Sequence, residues 1–103
     1  MNGGHRYDFE WNPQKAKQNL RKHRISFEHA ATVFLDPVAL SLFDAGHSET
    51  EDRWITLGVD NQGMILVVSH TFREVDEHTA TIRIITSRKA TKAEQTQYNQ
   101  RKA

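Results

Sequence analysis

Four arginines mark the strand-forming half of the chain. Arg53 opens one apolar run, Arg73 closes the next, Arg83 lies inside Thr79–Ile85, and Arg88 ends that run beside Lys89. A guanidinium is planar, stays charged and donates two parallel hydrogen bonds to phosphate oxygens, so clustered arginines suit a phosphate-bearing ligand. Arg83 carries most weight. Ile82 and Ile84 flank it, and because strand side chains alternate, the arginine must point away from the isoleucine face. The competing reading pairs each arginine with an acid (Glu49, Asp52, Glu74 or Asp76) as a surface ion pair worth about 0–1 kcal/mol. His70 adds a group that moves protons near neutral pH, and Trp54 adds a surface on which bases stack. In a meander, alternate strand ends meet at one edge of the sheet. Register permitting, Arg53, Arg73 and Arg83 then come within reach of one another and of His70.

Other chemistries find little support. The six histidines form no His-x-His or His-Glu-x-x-His pattern, and no P-loop or dinucleotide fingerprint occurs. His47 with Glu49 and Glu51 would hold a divalent ion only weakly, and an exposed acidic loop explains them as well. No metal or other cofactor is expected. The absence of cysteine removes disulfides, thiolate zinc sites and cysteine nucleophiles together.

The elements that must position these residues read as follows. Tyr7, Phe9 and Trp11 alternate with Asp8 and Glu10, the period of a short strand. Asn12-Pro13 is an N-cap followed by proline at the first helical position, and it starts a helix to about His23 with Ala16 and Leu20 as its apolar stripe. Ser26 caps a second helix whose buried face is Phe27, Ala30, Ala31 and Phe34, stopped by Asp36-Pro37. His29 falls on the opposite side of that helix. Strands follow over 38–43, over 53–60, and from Met64, apolar on both faces as far as Val68 and ended by Arg73, the last two joined by a hairpin turn at Asp60-Asn61-Gln62-Gly63. Residues 74–78 form a polar turn into the Arg83 strand. Thr91 with Glu94 makes a capping box for a helix over about 92–100. The fold class is therefore α+β: a short strand, two helices, a three- to four-stranded antiparallel meander and a terminal helix.

At 103 residues the chain, taken as 1–103, holds one domain with one modest core, residues 1–6 being loose. Hydrophobic residues make up 37% and charged residues 26%, which is enough to fold. Neither a membrane span nor a signal peptide is expected, and the cytoplasm is the expected compartment. The net charge of +1 hides segregation: five cations and no acid between Pro13 and Arg24, five cations against Glu94 alone between Arg88 and Ala103, and acids gathered at 44–52 and 74–77. Two basic segments on a near-neutral chain fit either a localised anionic partner or two solvated helix faces.

In order and spacing, Phe9-Glu10-Trp11-Asn12, Lys15-Ala16, Asn19, Lys22-His23, Ser26-Phe27-Glu28, Val33-Phe34, Asp36-Pro37, His47-Ser48, Glu51, Arg53, Gly58, Ile82-Arg83-Ile84-Ile85, Arg88-Lys89-Ala90, Glu94 and Tyr98 resemble the BrnT-type toxins, which sit near the RelE-like ribonucleases. The resemblance covers Phe9 to Tyr98. Arg24 departs from it, standing where the family has a glycine in the left-handed conformation, at a cost of roughly 1 kcal/mol. Asn12 replaces the usual aspartate as an equivalent cap, and Thr86-Ser87 replaces Ser-Ala. The resemblance implies an endoribonuclease toxin of a type II toxin–antitoxin pair. It further implies neutralisation by a small ribbon-helix-helix antitoxin and repression of the shared operon, the operator DNA being contacted through the antitoxin.

The expected reaction is metal-independent RNA cleavage by attack of a 2′-hydroxyl on the adjacent phosphate. Such a reaction needs a base, cations for the charge gathering on phosphorus, and an acid for the leaving oxygen. Arg53, Arg83 and Arg88 are the candidate cations. His70 or His23, with Glu51 as a further choice, are the candidate proton carriers. Lys22, Arg73, Lys89 and Trp54 are candidate substrate contacts. The alternative function is a non-catalytic nucleic-acid or partner-binding module acting as co-repressor.

Overall fold

The computed structural model describes residues 6–102. The expectation of a loose start therefore lies, up to residue 5, outside the described residues, while Arg6 already opens a strand. The chain forms β1 (Arg6–Glu10), α1 (Pro13–His23), α2 (Phe27–Ala31) continued by a 3-10 turn (Thr32–Leu35), β2 (Leu40–Phe43), β3 (Arg53–Val59), β4 (Ile65–Glu74), β5 (Thr79–Lys89) and α3 (Lys92–Lys102). The class is α+β, as the sequence leads one to expect.

Local chemistry explains the boundaries. Asn12 accepts hydrogen bonds from the Gln14 and Lys15 amides, and Pro13 occupies the first helical position. Arg24 ends α1 at φ 61°, ψ 29°, in the left-handed region. Ser26 accepts from the His29 amide and caps α2. At α3 both halves of the capping box form, with Thr91 N–H donating to Glu94 and Glu94 N–H donating to Thr91 Oγ1.

The sheet differs from the expected meander in one respect. β2, β3, β4 and β5 are the antiparallel meander, and β1 adds a fifth strand parallel to β5, giving the order β1-β5-β4-β3-β2. β4 ends at Glu74, one residue past the expected end at Arg73.

Each face of the sheet is covered over part of its length. On one face Ile25, Phe27, Ala30 and Val33 pack on Leu66, Val68, Ile82 and Ile84. Burying Phe27 completely contributes about 1.5–3 kcal/mol by transfer from water. On the other face Tyr98 of α3 and Ala90 pack on Leu57 and Val67. Asp36 joins the layers. Its carboxylate accepts from the Val38 and Val59 amides and from the Tyr98 hydroxyl at 2.6 Å. Burial, with help from that bond, pushes the Tyr98 hydroxyl up to about 12. The Asp36 crossing runs tight over Gly58, where a Cβ would sit 2.8 Å from Val33 Cγ1 and 3.2 Å from Asp36 Oδ2.

One irregularity interrupts the β4–β5 pairing. Ser69 pairs with Thr86 but His70 pairs with Ile84, so Ile85 is an extra residue in β5. Past this bulge β1 has ended, and α1 takes the place of a neighbouring strand. The buried Asn19 amide does the pairing. Its Nδ2 donates to Ser87 O (2.9 Å) and Ile25 O (3.0 Å), and its Oδ1 accepts from Ser87 N–H (3.0 Å). Open strand groups are satisfied by one side chain, and α1 is fixed against β5.

Candidate functional site

Strand register decides which candidates meet. Across β1, β5, β4 and β3 one row reads Glu10, Arg83, Thr71, Arg53, and the next reads Asp8, Thr81, Arg73. These rows lie on the face that carries α3, at the end α3 does not reach. Glu51, just before β3, reaches into the first row. Its Oε1 accepts a short hydrogen bond from Arg83 Nη2 and lies 3.9 Å from Arg53 Nε. That second distance is beyond a hydrogen bond, and Arg53 Nε is shielded from solvent without a hydrogen-bond partner. A carboxylate thus sits between two guanidiniums, one of which keeps a donor unused.

One cavity opens at this cluster, and a second lies beside it. One, of about 220 Å³, is lined by Asn12, Lys15, Glu51, Arg53, Arg83 and the bulge residue Ile85. The other, of about 210 Å³, is lined by Lys15, Gln18, Lys22, His23, Ile85 and Thr86. Lys15 and Ile85 line both, so the two adjoin and make a groove between the basic side of α1 and the bulged part of β5. Asn19 also lines the second cavity.

The candidates therefore divide. Arg53, Glu51 and Arg83 come together, with Lys22 and His23 further along the same groove. Arg73 is exposed one row away. Arg88 is on the same face but is held by Glu94 through paired bonds of 2.8 and 3.0 Å. That pairing raises the Arg88 guanidinium and, with the Thr91 amide, lowers the Glu94 carboxyl to about 2. Arg88 thus anchors the start of α3. Lys89 is opposite Leu66 on the other face, beside Arg24, His29 and Asp60.

His70 and Trp54 pair across β4 and β3 on the face that α2 covers, away from the arginines. His70 is 3% exposed, its ring meets Phe34 edge-on at 4.8 Å, and its nitrogens bond Thr56 Oγ1 (2.6 Å) and Thr71 O (3.0 Å). Burial pulls it down to about 4. His29 is half-buried, 2.9 Å from Asp60 Oδ2, and His47 bonds Asp44 at 2.9 Å. Among the described residues no three His, Asp or Glu side chains converge in a way that could hold a metal.

Sequence reasoning missed Lys15, Asn12 and Asn19 as parts of the site. The signal was available in the basic side of α1, which the short β1–α1 connection must bring beside β5.

A small α+β protein with arginines converging on an open sheet face beside a basic helix is suited to holding a phosphodiester. Over residues 11–94 the chain matches the family described as the ribonuclease toxin BrnT of type II toxin–antitoxin systems, and it belongs to that family. The 1.1 Å crystal structure of the Brucella abortus ribonuclease toxin BrnT matches it with a TM-score of 0.55 at 22% identity, covering 82% of this chain and 96% of that one. That likeness shows the fold. No curated protein matches the chain in sequence. An antitoxin partner follows from the family. Among the described residues no helix is long and apolar enough to cross a membrane.

Proposed function

We propose that this chain is an endoribonuclease toxin that cleaves RNA without a metal ion in the groove between α1 and β5. The observation that carries the reading is the Arg53–Glu51–Arg83 cluster. A carboxylate between two guanidiniums occupies the position a phosphate would take. An RNA phosphate binding there receives the Arg83 fork and the unused Arg53 Nε–H, and it releases Glu51 from its ion pairs. The freed carboxylate accepts the proton of the neighbouring 2′-hydroxyl as that oxygen attacks phosphorus. The bond to the 5′ oxygen breaks, leaving a 2′,3′-cyclic phosphate and a 5′-hydroxyl. The arginines and Lys15 hold the charge that gathers on the phosphoryl oxygens, and His23, on the adjoining groove, supplies the proton to the leaving oxygen. Lys22 binds the flanking backbone. The cognate antitoxin has a ribbon-helix-helix domain, and the pair represses its own operon.

The test is cleavage of a defined RNA by the purified chain with and without EDTA, followed by end-group analysis. Cyclic-phosphate and 5′-hydroxyl ends at the same rate in EDTA are expected. Cleavage that stops in EDTA, or products with 5′-phosphate ends, would overturn the mechanism. Expression without the neighbouring antitoxin gene should arrest bacterial growth.

A further inference from the structure

The face that α2 covers has an open end as well, and its character is the reverse of the RNA groove. Past the 3-10 turn a trough of about 300 Å³ is lined by Tyr7, Phe34, Trp54, His70, Phe72 and Ile82. Its walls are built from ring pairs. Tyr7 and Phe72 stand edge to face at 6.5 Å on one side, and Trp54 stands on the other, supported from outside the lining by Phe43 at 5.3 Å. Phe34 closes one end against the His70 ring. The hydrogen-bonded His70 fixes the floor, so the trough is preformed. Yet Phe43 is 48% exposed and Phe72 39% exposed. A preformed apolar hollow at the lower end of the ~300–1,000 Å³ range of binding pockets fits one or two large apolar side chains.

The rim says what kind of chain brings them. β2 ends and β3 begins at this end of the sheet, as do the end of β4 and the start of β5. Both connecting loops are acidic. Residues 44–52 and 74–77 contain no lysine or arginine, and Glu49, Asp52, Glu74, Asp76 and Glu77 are all exposed. A polyanion is repelled here, and a cationic peptide is attracted.

We infer that this trough anchors the antitoxin, through a segment presenting one or two large apolar side chains flanked by lysine or arginine. The inference rests on the toxin reading above, because it takes its partner from the toxin–antitoxin pairing. The binding mode is apolar anchors in a groove, with charge complementarity at the rim setting the encounter rate. RNA and antitoxin then occupy opposite faces of the same strands. The trough adjoins the active cluster through Trp54 and Arg53, and through the 44–52 loop that carries Glu51.

The experiment measures binding of the full chain to the antitoxin encoded beside it by titration calorimetry. The variants are Phe72→Lys in the trough, Phe43→Lys beside its Trp54 wall, Glu74→Lys with Glu77→Lys on the rim, and Leu42→Lys on the opposite face, where Leu42 is 52% exposed. Thermal unfolding checks each fold. Phe43→Lys, at a half-exposed ring, reads the site should Phe72→Lys not fold. Each trough variant is expected to weaken antitoxin binding by about 30-fold or more, the rim pair to weaken it and flatten its salt dependence, and Leu42→Lys to change it less than about threefold. Wild-type affinity in both phenylalanine variants overturns the inference. So does an equal loss in Leu42→Lys, or a self-associated chain that Phe72→Lys turns into a monomer. RNA cleavage is assayed in parallel. Cleavage with unaltered antitoxin binding in the trough variants removes the trough alone. Trough-dependent antitoxin binding by a chain that cleaves no RNA removes the ribonuclease reading alone.

Discussion

Arg53 and Trp54 are neighbours in the chain and lie on opposite faces of β3, and the two faces diverge from there. On one, Arg53, Arg83 and Glu51 are half-exposed charges around a groove with basic walls. On the other, Trp54, Phe72 and a buried imidazole line an apolar trough with an acidic rim. The alternation of a strand lets one ten-residue segment, β4, serve both surfaces: Thr71 and Arg73 face the groove side, while His70 and Phe72 line the trough. Because the surfaces share strands but not side chains, substitutions can separate them.

The largest expected effect is on the charged face. Arg83→Ala should lower the rate of RNA cleavage by about 100- to 1,000-fold, the loss typical for a donor aimed at developing charge, while thermal stability stays near wild type. Glu51→Gln should also slow cleavage. If instead Arg83→Ala cleaved normally, the Arg53–Glu51–Arg83 cluster would be an ion-pair network only.

Acid separates the faces by pH window. His70 falls from the ordinary 6.5 to about 4 in the folded chain because burial disfavours its charged form. The unfolded chain therefore binds the proton first, and stability falls as pH drops below about 6.5, approaching a loss of about 3 kcal/mol by pH 4 at about 1.4 kcal/mol per pH unit. On the charged face the direction of the shift is the same and its cause is opposite. Glu94 is held near 2 by Arg88, which stabilises its charged form, so its contribution is complete above about 4.5 and is lost between 4.5 and 2. Urea unfolding from pH 7 to pH 2 should show both losses. His70→Gln should remove the upper one and leave the lower. A smaller effect follows from Glu94→Ala, which cuts the Arg88 fork and the Thr91 cap together and should cost about 1–2 kcal/mol at pH 7.

These contrasts also mark what the sequence could disclose. Caps are local, so Asn12, Ser26 and the Thr91–Glu94 box were legible, as was the alternation that turns Arg83 away from Ile82 and Ile84. Sequence reasoning joined His70 and Trp54 to the arginines because strand ends converge in a meander. Convergence in the plane does not decide the face, and the register places Trp54 opposite His70 and Arg53 opposite Thr71. The bulge at Ile85 and the Asn19 clamp are long-range features, with Ser87 standing 68 residues from Asn19, so no window of neighbouring residues contains them. The parallel pairing of β1 with β5 was out of reach for the same reason.

α1 belongs to both regions, with Ala16 packed toward the helix-covered core and Lys15, Lys22 and His23 along the groove. Its end offers the smallest prediction. Arg24 adopts φ 61°, where its Cβ crowds the following carbonyl oxygen, at a cost of about 1–2 kcal/mol that glycine avoids. Glycine also makes the unfolded chain more flexible, which offsets part of the gain. Arg24→Gly should therefore raise stability by about 0.5–1 kcal/mol, measured as a higher urea midpoint at unchanged slope. Arg24 lies outside the groove, beside Ile25, His29 and Lys89, so RNA cleavage should be retained. A stabilised variant that cleaved more slowly would extend the RNA-binding surface around the end of α1, and it would move the boundary between the two regions onto this residue.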